Sequence, residues 1–256
     1  MVDVFENAVS IFIHNKDVRS IKTTDGIVVW EKPVQTTTIL VFGGDTVSFG
    51  QNLVSTGDVT VDWGDGTTEI INNPTTNISH IYSDGETTHT VILDGEITSF
   101  GQACFENCTN LTNIVIPNTV TSIGVSSFYN CTNLTNIVIP NTVTSIGNSC
   151  FHGCFNLTSV VIPNSVVSLG NSCFYNCTEL RSVSIPDSVT ENTRGWFGEC
   201  TNLVDYQLHW IGNNVIPYDA QGMPNNTNTI FTIPNGSAND YIAKDYPSDK
   251  LVERSE

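Results

Sequence analysis

A 23-residue period constrains this chain more than any other feature. Leu111, Leu134, Leu157, Leu180 and Leu203 are spaced by 23 residues each time. Phe105, Phe128, Phe151, Phe174 and Phe197 keep the same step, as do Cys108, Cys131, Cys154, Cys177 and Cys200. Pro117, Pro140, Pro163 and Pro186 follow it, and so do Gly101, Gly124, Gly147 and Gly170. The segment LTNIVIPNTVTSIG occurs identically at 111 and 134. A fixed period of this size marks a repeat architecture. One such unit cannot bury its apolar side alone, whereas stacked units can.

Within a unit, Ile114 and Ile116 lie two apart, which is strand spacing, with Val115 on the opposite face. Pro117 lacks an N–H for further ladder pairing and ends the strand. NTVTSIG then turns the chain, with Val120 and Ile123 inward and Gly124 expected in a left-handed conformation. VSSFYNCTNL reads as a short helical or irregular turn that returns Phe128 and Cys131 to the interior. Parallel strands stacked at about 4.8 Å then form a ribbon-like sheet on one side. The frame reaches back to Val91 and Leu93, with Phe100 and Gly101 in register. It reaches forward to Leu203, Tyr206 and Leu208, and after an insertion to Phe231, Ile233 and Pro234. Seven stacked strands are expected, the first at 89–93, with an atypical last turn as a cap. The expected fold class is mainly β with short helical turns: a solenoid of parallel stacked strands fused to a small β-sandwich.

These columns resemble the BspA-like leucine-rich repeat, whose units read L-x-x-I-x-I-P-x-x-V-x-x-I-G-x-x-A-F-x-x-C, over residues 88–208. Two departures stand out. The small residue before Phe, usually Ala, is Cys104, Ser127, Cys150 and Cys173. The fifth unit, DSVTENTRGWFGEC, puts Asn192 where Ile123 stood and Trp196 in the small-residue column, so that coil should be distorted. The ending FTIPNGSANDYIAKDYPSDKLVE resembles the family's C-terminal cap, a last strand followed by a short helix. The resemblance implies surface adhesion and host contact.

Upstream, DVTVDWGDGTTEI and HIYSDGETTHTVIL resemble the two ends of a PKD-type immunoglobulin-like domain, through Trp63, Gly64, Asp65, Gly66, His80 and Tyr82. Short alternating strands between Gly and Asp turns are themselves a β-sandwich pattern. Residues 1–33 hold two strand signals, AVSIFIH and GIVVWE, with a tight-turn pair at Asp25-Gly26. Openings of this form resemble N-terminal attachment segments of phage tail and virion-associated proteins. The expected organisation is an N-terminal β segment at 1–35, a PKD/Ig-like sandwich at 36–93, repeats at 88–210 and a C-terminal cap at 211–256. Because 89–93 serves both frames, the junction should be fused, without a flexible linker.

Acids outnumber bases 26 to 9, a formal charge of −17. That balance argues against nucleic acid, whose phosphates need a basic face, and against an anionic membrane surface. No apolar run is long enough to span a bilayer, so no membrane insertion is expected. The N-terminus lacks a basic start followed by an unbroken apolar stretch, so no secretory signal is read.

Candidate chemistry is sparse. The eight cysteines include i, i+4 pairs such as Cys150/Cys154. Zinc sites need four converging ligands, which stacked coils spread along a line. Disulfides are the second alternative. The repeat's own spacing favours small buried hydrophobes. Segment 34–87 carries seven acids and no base, and Asp58, Asp62, Asp65 and Asp84 could supply oxygens to calcium. Turn-forming carboxylates that bond backbone amides are the competing account, and it is favoured. No other cofactor is implied. No phosphate-cradling loop, metalloprotease helix or nucleophile elbow appears, so no catalytic residue is assigned and no enzyme is expected.

The outward strand positions Asn113 and Val115, Asn136 and Val138, Ser159 and Val161, Ser182 and Ser184 form a neutral stripe able to meet sugar hydroxyls or a partner's backbone. A solvated face serving strand propensity is the competing account for any one of them. Extended solenoid faces are commonly used for binding. Trp196, Tyr206 and Trp210, near Arg194 and His209, are candidate aromatic anchors or plugs of the irregular coil. A non-enzymatic recognition protein is expected, presenting the repeat face to a host or cell-surface glycan or protein. Its setting is a virion, with other virion proteins as partners. The alternatives are a prokaryotic cell-surface adhesin or an architectural spacer.

Overall fold

The computed structural model describes residues 20–22, 28–30, 37–50, 52–72, 77–189, 195–209 and 228–254. The chain divides into two compact units, Met1–Val34 and Gln35–Glu256. In the first, β1 (Ser20–Lys22) and β2 (Val28–Trp30) pair antiparallel, Ser20 opposite Trp30. GIVVWE supplies β2; β1 falls in the stretch read as a connector. The expected AVSIFIH strand lies outside the described residues.

The second unit begins with β3 (Thr37–Gly43), β4 (Thr46–Phe49), β5 (Leu53–Ser55), β6 (Val59–Asp62), β7 (Thr68–Ile71), β8 (Ile78–Ile81) and β9 (Thr88–Asp94). Next come β10 (Ile97–Phe100) and the first repeat strand, β11 (Leu111–Val115). One sheet runs in the order β11-β3-β9-β6-β7; β4 and β8 form a separate antiparallel pair. This corrects the expected strand order. β9 does not open the solenoid, because β3 lies between it and β11 and pairs antiparallel with both. The junction is closed by further bonds from Gly43 N to Asn110 O and from Thr112 Oγ1 to Val41 O. Residues 97–101 do keep the repeat frame: Phe100 pairs in parallel with Ile123, one period on.

The coils then run through β12 (Ser122–Ile123), β13 (Ser145–Ile146), β14 (Ser159–Val161), β15 (Ser168–Leu169), β16 (Ser182–Ile185), β17 (Asp205–Leu208) and β18 (Ile230–Ile233). A helical turn α1 (Ala238–Ile242), a 3-10 turn Ser248–Lys250 and β19 (Leu251–Glu253) close the chain. One face of the solenoid is the parallel sheet β14-β16-β17-β18-β19. The second coil joins β11 through a single bridge, Val115 to Val138. A second stripe, β10-β12-β13-β15, is also parallel and in register. β19 extends the stack beyond the expected last strand.

The interior is built from the repeated columns. Phe105, Phe128, Phe151, Phe174 and Phe197 are buried and stacked face to face, with centroids 5.0–5.3 Å apart. Leu111 and its four equivalents are fully buried beside them. The glycine column has a different cause from the one expected. Gly124 is not left-handed; a Cβ there would lie 2.7 Å from the Gly101 carbonyl carbon. Successive coils touch backbone to backbone, and only glycine lets them. The left-handed positions of the repeats are instead Ala103, Ser126, Ser149, Ser172 and Gly195, and then Asn107, Asn130, Gly153, Asn176 and Glu199.

All eight cysteines are buried and free. Their main column also hydrogen-bonds: the Sγ atoms of Cys131, Cys154, Cys177 and Cys200 donate to the carbonyls of Phe105, Phe128, Phe151 and Phe174, at 3.1–3.2 Å. Cys108 does the same to Ser48. The second column is also a donor column at its non-cysteine members. Ser127 Oγ reaches Phe100 O, and Trp196 Nε1 reaches Leu169 O, each 27 residues back. Thiol donors at these points, and not apolar filling alone, explain the cysteines.

Candidate functional site

The outward face of the repeat sheet has two halves. In the first, Val138 and Val161 are 69% and 68% exposed, flanked by exposed Asn136 and Ser159. Val115 and Asn113, beside β3, are half-buried. The inward partners Ile114, Ile137 and Val160 are buried, so strand alternation alone places the valines outside. Parallel pairing sets Ser159 beside Ser182 and Val161 beside Ser184. All eight stripe residues therefore fall on one face.

The second half is mainly polar, with Ile230 and Val252 as its exposed aliphatic members. Ser184, Gln207, Thr232 and Val252 are in register across β16, β17, β18 and β19. Asp205 accepts from Gln207 Nε2 at 2.8 Å and from Thr232 Oγ1 at 3.2 Å. At the strand ends, Arg254 Nη1 meets His209 Nδ1 at 3.3 Å, and His209 Nε2 meets Ser184 Oγ at 2.9 Å. A guanidinium can only donate, so Nδ1 carries the lone pair and Nε2 the proton. Burial, and then the Arg254 charge, hold the imidazole below its ordinary pKa, against Asp187, so it is neutral. His209 thus donates to Ser184. That is the reverse of a base that activates a serine, which must accept the hydroxyl proton. The Ser–His contact is no nucleophilic pair.

Sequence reasoning missed Arg254, which lies beyond the repeats. A signal for its partner existed: His209 stands in the column of Pro117, Pro140, Pro163 and Pro186.

Two proposed anchors are corrected. Trp196 is 5% exposed and Tyr206 is fully buried, packed edge-on to Phe197. Neither offers surface to a partner; both fill the interior where the repeat becomes irregular. Trp210, Arg194 and Asn192 lie outside the described residues.

The four calcium candidates lie in or beside turns, three of them bonded locally. Asp62 accepts from Gly64 N, Asp84 from Glu86 N, and Asp65 from Thr67 N and Oγ1. Asp65 also meets His80 Nε2 at 2.7 Å, and the Asp58 carboxylate takes the Asn72 amide. Among the described residues, no three His, Cys, Asp or Glu side chains converge on a metal position. The WGDG and HIY segments do meet: His80 stacks on Trp63 at 4.7 Å, and the Tyr82 hydroxyl donates to Trp63 O.

Six repeat copies match the BspA type leucine rich repeat region over residues 73–219, more than half of the chain. The chain belongs to the BspA-type leucine-rich repeat family. The pneumococcal vaccine antigen PcpA shares its fold, at a TM-score of 0.54 and 15% identity over 62% of this chain. The match spans 42% of PcpA, less than half of that protein. The Treponema pallidum leucine rich repeat protein TpLRR is 22% identical over 66% of this chain and 81% of its own, at a TM-score of 0.39. A leucine rich cell surface protein from Faecalibacterium prausnitzii A2-165 is 18% identical over 62% of this chain and 58% of its own, at 0.38. No curated protein matches the chain. Among the described residues, no helix is long and apolar enough to cross a membrane.

Proposed function

We propose that this BspA-type chain is a non-enzymatic recognition protein of a cell surface, and that the outward sheet face of its repeats binds a glycan or protein on a host or neighbouring cell. The carrying observation is the Val138–Val161 pair: two branched aliphatic side chains more than two-thirds exposed, one repeat apart in the same outward column and framed by short polar groups. An apolar centre with a polar rim is the ordinary anatomy of a recognition surface. The strands of 36–93 act as a PKD/Ig-like spacer, tied to the repeats through β3. Membership of the repeat family, together with a fold relative described as a vaccine antigen, supports the cell-surface setting over a virion. The virion setting rests on residues 1–35, most of which lie outside the described residues.

The test is binding of the intact protein to host cells and to a glycan array, compared with Val138→Glu/Val161→Glu. Both side chains face solvent, so the melting temperature should hold while binding falls at least tenfold. Unchanged binding by the folded double variant would reject the sheet face as the recognition surface.

A further inference from the structure

The polar half of the sheet face holds a cation with no carboxylate partner. Arg254 is half-buried at the end of β19, anchored by its backbone N–H to Ile233 O. Its guanidinium donates to His209 Nδ1 and to Leu208 O, both at 3.3 Å. Among the described residues, no Asp or Glu lies within ion-pair distance of it, in a chain of net charge −17. The nearby carboxylates are otherwise engaged. Asp205 is held by Gln207 and Thr232, and Glu253 accepts from Ala238 N. The exposed Asp187 bears on His209 only through its charge and forms no ion pair with Arg254.

The hydrogen bonds have one direction. Arg254 donates to His209, and His209 donates to Ser184 Oγ at 2.9 Å. The Ser184 hydroxyl hydrogen is therefore directed away from the imidazole. Of the five guanidinium N–H groups, those not given to His209 and Leu208 have no protein acceptor among the described residues. At neutral pH the corner presents donors and a positive charge. That arrangement suits an anionic acceptor, and a carboxylate fits the planar fork of arginine.

We propose that Arg254, with Ser184 and His209, forms a carboxylate-binding corner for an acidic sugar, seated on the polar half of the face. This deepens the recognition role of the sheet and rests on it. A sugar is favoured over a peptide acid by the surrounding groups. The strands β16, β17 and β18 are paired on both sides, so among the described strands at this corner only the outer edge of β19 could add a peptide strand. What faces outward is mainly short hydroxyl and amide chemistry, from Ser182, Ser184, Gln207 and Thr232, beside two exposed aliphatic side chains, Ile230 and Val252. The chain's overall charge repels anions at long range. At physiological salt the Debye length is about 8 Å, so the corner's own charge decides at contact.

Calorimetric titration of the whole protein with trigalacturonic acid, against neutral galactotriose, tests the assignment. Tight binding of the acid alone is expected. Arg254→Ala should weaken it about tenfold or more, and Arg254→Lys less, since charge is kept and the fork lost. Thermal melts establish that both variants are folded. Equal binding of the two sugars, binding of neither, or an Arg254→Ala variant with unaltered affinity would overturn it. So would a peptide acid that binds more tightly than the sugar and loses affinity as its amide. Loss of cell binding in Val138→Glu/Val161→Glu, with no acid binding by the parent protein, would sink the corner and leave the recognition face standing.

Discussion

Cys131 Sγ donates to the carbonyl of Phe105 at 3.1 Å, one coil back, and that carbonyl also takes the Cys108 N–H of its own coil. The thiol donates to the second lone pair of a buried oxygen, a place where an aliphatic side chain of the same volume donates nothing. Cys131→Ala should lower stability by about 1–2 kcal/mol, from the lost donor and a small void. Cys131→Val, which fills the void without donating, should not restore it. Urea midpoints of the three proteins decide this.

Burial also silences the thiols. It pushes Cys108 and Cys154 up to about 12, far from the thiolate range at neutral pH. In native buffer none of the eight cysteines should react with an aromatic disulfide reagent within minutes, and all eight should react after denaturation. Rapid native labelling would mean that the coils open.

The aromatic column and the glycine column should respond in opposite ways to size. Phe151 touches two stacked rings, at 5.2 and 5.1 Å, so Phe151→Ala should cost about 3–5 kcal/mol. Gly147→Ala adds one carbon against the backbone of Gly124 and Val125 and should cost about 1–3 kcal/mol by forcing two coils apart. Neither change touches the outward face.

Asp65 sets an acid limit on the upstream strands. The Thr67 side-chain hydrogen bond, the Thr67 N–H and His80 lower its pKa from 3.8 to about 2, against its burial. The folded state therefore binds this proton less tightly than the unfolded chain does. The contribution is complete above about pH 4 and is lost as pH falls toward 2. Melting temperatures of the parent protein should drop through that window more steeply than those of Asp65→Asn.

The repeats were legible because each column reports the same contact several times. Phe, Leu and Cys recur where one coil covers the next, and strand alternation alone put Val138 and Val161 outside. The β3 insertion was not legible. TTILVFG is a short apolar run like the VIL of β9, and nothing local tells a strand that it will pair antiparallel with a distant one, Val41 with Asn113. Gly124 suggests a conformational role within its own unit, whereas its cause is inter-coil distance, which no single unit reveals. Arg254 lay outside the periodic frame, so its meeting with His209 depended on β19 extending the stack.

Because β3 covers the first repeat strand and β19 is the last strand of the stack, the coils between them can be added or removed without rebuilding either terminator. Inserting one more copy of LTNIVIPNTVTSIGVSSFYNCTN should lengthen the molecule by one strand spacing, about 4.8 Å. Placed between Glu179 and Leu180, after the coil of Val161 and before that of Ser184, the insertion would displace the arginine corner from the valine pair by that amount. Copy number would then act as a ruler, setting how far apart two footholds on a ligand must be.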